Sequence, residues 1–177
     1  MEEQDEQARF EKTIMPHLDA AYNLARWLTR NEHDAQDVVQ DAFLRALKFF
    51  RSFRGENSRS WLLSIVRNTT YTWLQKNRKK ELATVFDEEL HDVEDPSSNP
   101  EALLLKNSDR GEIMQALEQL PVEFREIMVL RELEGMSYKE ISEIAEIPIG
   151  TVMSRLARAR RQLQQSLASR VQKGAPK

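Results

Sequence analysis

The chain has 177 residues, of which 40% are hydrophobic and 31% charged, so it is long enough for one domain or two small ones. It contains no cysteine, which excludes disulfides and thiolate metal sites and suits a reducing cytosol. The net charge of −3 is uneven: residues 1–80 carry 14 Lys and Arg against 11 Asp and Glu, 81–120 carry 2 against 11, 121–149 carry 3 against 7, and 150–177 carry 7 against none. Affinity for phosphate follows local potential, so two basic surfaces separated by acidic segments remain able to bind nucleic acid.

The start of the chain does not look like a targeting segment. Its first six residues are mostly acidic, whereas a signal peptide needs a basic start and an apolar core. No apolar run approaches the ~20 residues of a membrane span. We therefore expect a cytoplasmic protein without membrane insertion, with residues 1–8 as an acidic tail.

The first predicted helix has apolar residues at spacings of three and four and ends near Asn31. His17 lies in it, but His33 and His91 are the only other histidines, so the sequence predicts no histidine metal cluster. We expect the helix to pack into a core through Phe10, Ile14, Leu18, Ala21, Ala25 and Leu28.

The second predicted helix begins around Asp34 and separates apolar from polar positions. Asp37, Gln40 and Asp41 lie at i, i+3 and i+4 on one face. Two acids and an amide on one face are usually solvated surface, so the residues alone do not predict a binding site. The positions expected in the core are Val38, Val39, Ala42, Ala46 and Leu47.

After a break at Gly55 and Asn57, a third predicted helix runs to Lys80 and interleaves basic with aromatic residues. Aromatic rings stack on unpaired bases and basic side chains follow the phosphates, which is how single-stranded DNA is bound. Burial of Trp61 and Trp73 in the core is the alternative that remains open. The residues of this helix that remain for packing into the core are Leu62, Ile65, Val66 and Thr69. The basic and aromatic positions are Arg59, Trp61, Arg67, Tyr71, Trp73, Lys76, Arg78, Lys79 and Lys80.

Residues 82–108 form an acidic segment that is punctuated by Pro96 and Pro100. This composition predicts a linker. When extended it can span tens of ångströms, so the helical units on either side need not touch.

Two apolar stripes after the linker predict supporting helices, with Pro121 between them and Gly135 at the end of the second. The first stripe begins near Asp109. The two stripes consist of Ile113, Ala116, Leu117 and Leu120, and of Phe124, Ile127, Leu130 and Leu133.

The last two predicted helices are joined by a tight turn. Ser137 and Glu140 are spaced as a capping box, which predicts a helix start at Tyr138. Pro148 forces a turn before the next helix opens at Thr151. Two short helices in this arrangement, with arginines and no acid on the outer face of the second, are typical of a DNA-reading helix-turn-helix. The second helix has Val152, Leu156, Ala159 and Leu163 on its apolar stripe and Ser154, Arg155, Arg158 and Arg161 on its other face.

Three strings resemble bacterial sigma factors of the extracytoplasmic-function (ECF) group. The string IPIGTVMSR at 147–155 is similar to their second helix-turn-helix, and WLLSIVRN at 61–68 to the segment that captures and opens the −10 promoter element. The string DAQDVVQDAF at 34–43 is similar to the segment that binds the clamp helices of RNA polymerase. The chain departs from the usual family pattern in two ways. The loop before Trp61 is one residue shorter, and the residue types at Thr72, Ser142, Glu146 and Met153 differ from the usual ones.

The resemblance implies an all-α protein of two small helical domains, at 9–81 and 109–168, joined by the acidic linker and followed by a basic tail at 169–177. It implies polymerase contacts from Asp37, Gln40 and Asp41. The implied contacts to the −10 element come from Asn57, Ser58, Arg59, Trp61, Arg67, Asn68, Tyr71, Trp73 and Lys76. The implied contacts to the −35 element come from Lys139, Thr151, Ser154, Arg155, Ala157, Arg158 and Arg161.

The implied function is that of a sigma factor, which binds core RNA polymerase and directs promoter recognition, DNA melting and transcription initiation. Core polymerase and promoter DNA are the implied partners; an anti-sigma protein, which would bind the same surfaces, remains open. The role of the linker also remains open: it could lie in the RNA path of polymerase, or it could serve only as a spacer.

The sequence contains no glycine-rich phosphate loop, nucleophile–base set or metal cluster, so we predict no enzyme activity, metal or cofactor. The competing hypothesis is a helix-turn-helix regulator with an N-terminal ligand or dimerisation domain and a palindromic DNA site. That hypothesis gives no role to the Asp37 face or to the basic and aromatic helix.

Overall fold

The structure is a computed structural model that describes residues 1–85 and 109–174. Within these ranges the chain is helical and contains no β-strand. The first unit, residues 1–85, consists of α1 (Glu2–Ile14), a 3₁₀ turn (Met15–His17), α2 (Leu18–Thr29), α3 (Glu32–Phe49), a 3₁₀ turn (Phe50–Ser52) and α4 (Ser58–Val85). The second unit, residues 109–174, consists of α5 (Asp109–Glu118), α6 (Val122–Met128), a π turn (Val129–Leu133), α7 (Tyr138–Ala145) and α8 (Ile149–Gly174).

The end of α4 differs from the prediction, whereas the first helix of the second unit begins at Asp109 as predicted. Helix α4 continues to Val85, five residues beyond the predicted end at Lys80 and four residues into the segment predicted as linker. The rest of the predicted linker, 86–108, lies outside the described residues, as do residues 175–177.

The predicted first helix is in fact two helices. Pro16 lies in the 3₁₀ turn between α1 and α2, where its missing N–H and its ring prevent a continuous helix. The stripe is nevertheless buried on both sides of the turn, since Ile14 and Leu28 are at most 1% exposed. Residues 1–8 are not a free tail, because α1 begins at Glu2 and the Glu6 carboxylate accepts from Arg51 Nε at 2.9 Å.

Helix α3 begins earlier than predicted because Asn31 caps it, its Oδ1 accepting from Asp34 N at 3.0 Å. Val38 and Ala42 are buried, as predicted, but Leu47 is 47% exposed. At this end of α3 the buried positions are Ala46 and Phe50. Leu47 is rotated by about 100° around the helix axis from Ala46, so its side chain points away from them. The prediction of a core position at Leu47 was therefore wrong.

The helix-turn-helix has the predicted local structure. Ser137 Oγ accepts from Glu140 N at 3.1 Å and Glu140 Oε1 accepts from Ser137 N at 3.2 Å, so the capping box is confirmed. Helix α7 ends at Ala145, and its C-cap residue Glu146 lies in the left-handed region, with φ 56°. Helix α8 then begins at Ile149, two residues before the predicted start. Its stripe of Val152, Leu156 and Ala159 is buried.

The edges of the second unit differ from the predictions. Ile113 and Leu133, which were placed on the two predicted apolar stripes, are 45% and 43% exposed. The basic tail after 168 is helical as far as Gly174. Arg170 Nη1 donates to Gln115 at 2.8 Å and Nη2 donates to Gln119 at 2.9 Å, which holds the last turns of α8 against α5.

The two units pack against each other, with α4 on α7 and α2 on α6. Arg125 of α6 lies at this contact and is 3% exposed. It donates to the carbonyls of Glu118 and Leu120 at 2.9 Å, and to that of Leu28 in the first unit at 3.2 Å. Burial, and then the charge of Arg30, lower the pKa of Arg125 to about 10. The length of the linker did not decide whether the two units touch. In the structure they do, and the buried Arg125 bridges them.

Candidate nucleic-acid and protein interfaces

The polar face of α3 is open to solvent. Asp37, Gln40 and Asp41 are all exposed, and Asp41 makes an i,i+4 ion pair with Arg45 at 3.3 Å. The same face continues to Leu44, which is 62% exposed and which the sequence analysis did not single out. Two carboxylates and an amide beside an apolar side chain suit a basic partner with some apolar surface.

The start of α4 uses two of the predicted DNA-contacting side chains for local structure. Asn57 Oδ1 accepts from Ser60 N at 3.1 Å, which caps the helix. Ser58 Oγ hydrogen-bonds to His17 Nε2 at 2.9 Å. Burial, and then the nearby charge of Arg59, lower the pKa of His17, which favours the neutral ring in this contact.

Trp61 belongs to an aromatic cluster at the end of α3 and the start of α4. It is half-buried, with ring centroids 4.9 Å from Phe53 and 6.3 Å from Phe50. One side of the cluster lines a groove of about 430 Å³, to which Gly55 and Glu143 also contribute. The ring is thus partly buried in the core and partly accessible from a groove that is large enough to admit a nucleobase.

Trp73 is also half-buried and packs against the hydrophobic core. Three other polar side chains of α4, Asn68, Lys76 and Arg78, are exposed.

Arg67 and Tyr71, one turn apart on α4, both bind Glu126 of α6. Arg67 Nε donates to Oε1 at 2.5 Å and Tyr71 Oη donates to Oε2 at 2.8 Å. The Arg67 guanidinium lies 4.1 Å from the centroid of the Tyr71 ring. Glu126 is 0% exposed, and this burial raises its pKa. The pKa of Tyr71 is raised first by the burial of its own ring and then by the charge of Glu126. Burial by itself would lower the Arg67 pKa. The hydrogen bond to Glu126 and the negative charge of Glu126 outweigh burial and raise the Arg67 pKa.

Two further acids of the second unit bind the start of α4. Arg59 Nη2 donates to the carboxylate of Glu134 at 2.8 Å and to its backbone carbonyl at 2.7 Å. Glu140 Oε2 accepts from Asn57 Nδ2 at 3.3 Å and from Ser60 Oγ at 3.2 Å. Burial raises the Glu140 pKa, but the hydrogen bonds from Ser137, Asn57 and Ser60 outweigh it and lower that pKa.

Glu126, Glu134 and Glu140 were not predicted from the sequence as partners of α4. The available signal was the excess of 7 acids over 3 bases in residues 121–149. That excess indicates a basic partner, but it does not identify which surface supplies it.

The outer face of the helix-turn-helix is open. Ser154, Ala157, Arg158 and Arg161 are exposed on α8, on the side away from its buried stripe. Lys139 is exposed on α7, whereas Thr151 and Arg155 are half-buried. Ser154 Oγ donates to the Thr151 carbonyl at 3.2 Å. The predicted −35 residues therefore share a region of the second unit, with Arg158 more open than Arg155.

No group of three or more His, Asp or Glu side chains within residues 1–85 and 109–174 could hold a metal ion. No helix there is long and apolar enough to cross a bilayer.

Two helical units, one with a basic and aromatic helix and the other with a helix-turn-helix, define a DNA-binding protein. Family models confirm this division: Sigma-70 region 2 matches residues 13–80, and Sigma-70 region 4 matches residues 110–163. The ECF RNA polymerase sigma-E factor of Escherichia coli is 39% identical over 134 residues, which cover 72% of this chain and 70% of that protein. The chain belongs to the family of ECF RNA polymerase sigma factors.

Two other similar proteins extend the comparison. The ECF sigma factor SigE of Mycolicibacterium smegmatis is 32% identical over 160 residues, covering 90% of this chain and 62% of that protein; the chain thus spans less than two thirds of that relative. The sigma factor RpoE of Bartonella quintana, solved in complex with the anti-sigma factor NepR, has a TM-score of 0.73 and 28% identity, covering 90% of this chain and 97% of that one.

Proposed function

We propose that this chain is a transcription initiation factor that binds core RNA polymerase and directs it to promoters. The observation that carries the proposal is the presence, in family order, of the region 2 and region 4 matches on a chain with an open acidic face on α3 and an open arginine face on α8. The chain acts as a non-catalytic polymerase subunit in the cytoplasm and needs no cofactor.

The proposed division of labour follows the two units. Residues 9–81 bind the polymerase clamp through Asp37, Gln40 and Asp41 and bind the −10 strand through α4. Residues 109–168 bind the −35 duplex through α8. Because the Bartonella relative is bound to an anti-sigma factor, we propose a partner of that kind for this chain too.

A helix-turn-helix regulator with an N-terminal ligand or dimerisation domain is the weaker candidate. The region 2 match at 13–80 covers nearly all of the part of the chain that such a domain would occupy. The regulator hypothesis also leaves the exposed face of α3 without a partner.

Alanine at Asp37, Gln40 and Asp41 together is expected to weaken core polymerase binding at least tenfold, because fixed carboxylates guide and orient a basic partner. Helix content should not change, since exposed sites contribute little to stability. The measurement is competition for core polymerase against the unmodified chain. Alanine at Glu3, Gln7 and Glu11, exposed on α1 with a similar charge change, is the matched control. Equal competition by both triple variants would contradict the assigned face.

Alanine at Trp61 or Trp73 is expected to leave closed complexes intact and to slow promoter opening about fivefold. Stacking of a base on an aromatic ring contributes about 1–3 kcal/mol, and the half-buried rings place the effect at the lower end. Permanganate reactivity of promoter thymines measures the opening. Phenylalanine at the same positions retains a ring and is the control. Unchanged opening rates in folded alanine variants would assign both rings to packing alone.

A further inference from the structure

Helix α8 exposes apolar side chains as well as arginines on the outside of the helix-turn-helix. Ile149 is 42% exposed, and Met153, one turn farther along, is 50% exposed. Ala157, a further turn along, is also exposed. Residues four apart on a helix lie one above the other, so these three side chains form a short apolar line, which we call the apolar edge of α8.

The apolar edge is distinct from the stripe that packs into the core. The stripe residues Val152, Leu156 and Ala159 are at most 1% exposed. At about 100° per residue, Met153 lies about 90° from the middle of this stripe, and Arg158 lies about 130° from it in the other direction. Met153 and Arg158 therefore project from the two sides of the outer surface of α8.

The arginine on the same side of α8 as Met153 is engaged within the second unit. Arg160 lies about two helical turns beyond Met153, and its Nη2 donates to Glu132 Oε1 at 2.7 Å. What this side of the helix presents outward at the apolar edge is thus hydrocarbon and a thioether. A contact made there is apolar rather than ionic.

The location of Met153 suggests what it contacts. A half-exposed apolar side chain is ordinary on a protein surface, and Met15 of the first unit is a similar case at 45% exposed. Met153, however, lies in the first two turns of the helix assigned to the −35 duplex, next to the exposed Ser154. Among the base edges of the major groove, the apolar group is the C5 methyl of thymine.

We propose that Met153 reads a thymine of the −35 element by packing against the C5 methyl group of that base, with Ala157 beside it. The proposal rests on the proposed function, which assigns α8 to this duplex. Met153 and Arg158 are about 7.5 Å apart along the helix axis, and successive base pairs are about 3.4 Å apart. The thymine therefore lies within about two base pairs of the base pair that Arg158 contacts.

The preference is particular to this chain, because Met153 is one of the positions at which the chain departs from the usual family pattern. Its size follows from the methyl group alone. Removing one such group from water contributes a factor of about four to affinity. Replacement of thymine by uracil deletes the methyl group and leaves the hydrogen-bonding groups of the base pair in place, so it isolates this contact.

The test uses the full chain bound to core polymerase. Selection from a randomised −35 library first identifies the element that the unmodified chain prefers. Each thymine of that element is then replaced in turn by deoxyuridine, and competition between promoter fragments measures the relative affinity. We expect one replacement, within about two base pairs of the position at which Arg158→Ala relaxes base preference, to lower the affinity about fourfold.

Variants of Met153 assign the methyl contact to this side chain. Met153→Ala should bind the thymine and uracil fragments with affinities within about 1.5-fold of each other, because little apolar surface remains. Met153→Leu retains the apolar volume and should restore most of the discrimination. Val171→Ala is the matched control: Val171 is 67% exposed on the same helix but about 27 Å farther along it, so the full discrimination should remain.

Equal affinity for thymine and uracil at every position of the selected element would overturn the proposal. A selected element without a thymine at the stated distance from the Arg158 position would overturn it as well. Discrimination that persists in Met153→Ala would assign the methyl contact to another side chain, and an equal loss of affinity for all fragments would show that Met153 adds surface without reading a base.

The selection and transcription from the selected promoter report the proposed function separately. A chain that selects a −35 element and initiates transcription, but does not distinguish thymine from uracil through Met153, loses this inference alone. A chain that selects no element with polymerase present contradicts the proposed function itself.

Discussion

Replacing Phe50 by alanine is expected to destabilise the first unit by about 3–5 kcal/mol, the usual cost of removing a buried aromatic side chain. Phe50 is 1% exposed and is the centre of the aromatic cluster. Its ring meets Phe10 edge-on at 5.2 Å and stacks on Phe53 at 5.9 Å. A cavity there would also remove the support of Trp61, so promoter opening should fall together with stability.

Phe49 provides the matched control for this substitution. It is the adjacent residue and of the same type, but it is 52% exposed, so Phe49→Ala should cost about 0.5 kcal/mol or less. The three tryptophans, Trp27, Trp61 and Trp73, all lie in the first unit, and urea unfolding followed by their fluorescence therefore reports that unit selectively. Equal midpoints for the two alanine variants would show that the cluster does not stabilise the unit.

Arg158→Ala is expected to relax base preference at one position of the −35 element by about 1–3 kcal/mol, roughly five- to 150-fold. This is the discrimination of a bidentate contact between arginine and guanine. Arg158 is exposed opposite the buried Val152 and Leu156, which allows it to reach base edges in a major groove. Arg155 is half-buried and close enough to Glu126 for its charge to lower the Glu126 pKa, against the larger effect of burial. A phosphate contact suits this position better than a base contact.

Arg155→Ala is consequently the comparison for Arg158→Ala. This substitution should lower the affinity for all promoters to a similar degree and reduce the salt dependence of binding by about one counterion. Selection from a randomised −35 library, with polymerase present and both variants run in parallel, measures the difference. Recovery of the unmodified consensus by Arg158→Ala would show that this side chain does not read a base.

The local parts of the fold were predictable from the sequence. The capping box at Ser137, the turn at Pro148 and the stripe at Val152 and Leu156 all depend on residues within about two helical turns of each other. The structure confirms them. Periodicity failed where a helix ends or extends beyond its support, as at the exposed Leu47 and Ile113, because a stripe in the sequence does not show how far the opposing element reaches.

The candidate sites were predictable only in part, for a different physical reason. The exposure of Asp37 and Arg158 follows from helical phase within one element. The pairing of Arg67 does not follow from helical phase, because its partner Glu126 is 59 residues away along the chain.

What the sequence by itself determined is the class of protein, the helices, and which residue types each helix presents. What only the tertiary structure decided is which faces meet. The pairs Arg67–Glu126 and Asn23–Glu134 join residues 59 and 111 positions apart, and an excess of acids in one segment is compatible with many basic partners. Ion pairs over such separations depend on the packing of the two units and on the dry environment that this packing creates around Glu126, and neither is encoded in the spacing of neighbouring residues.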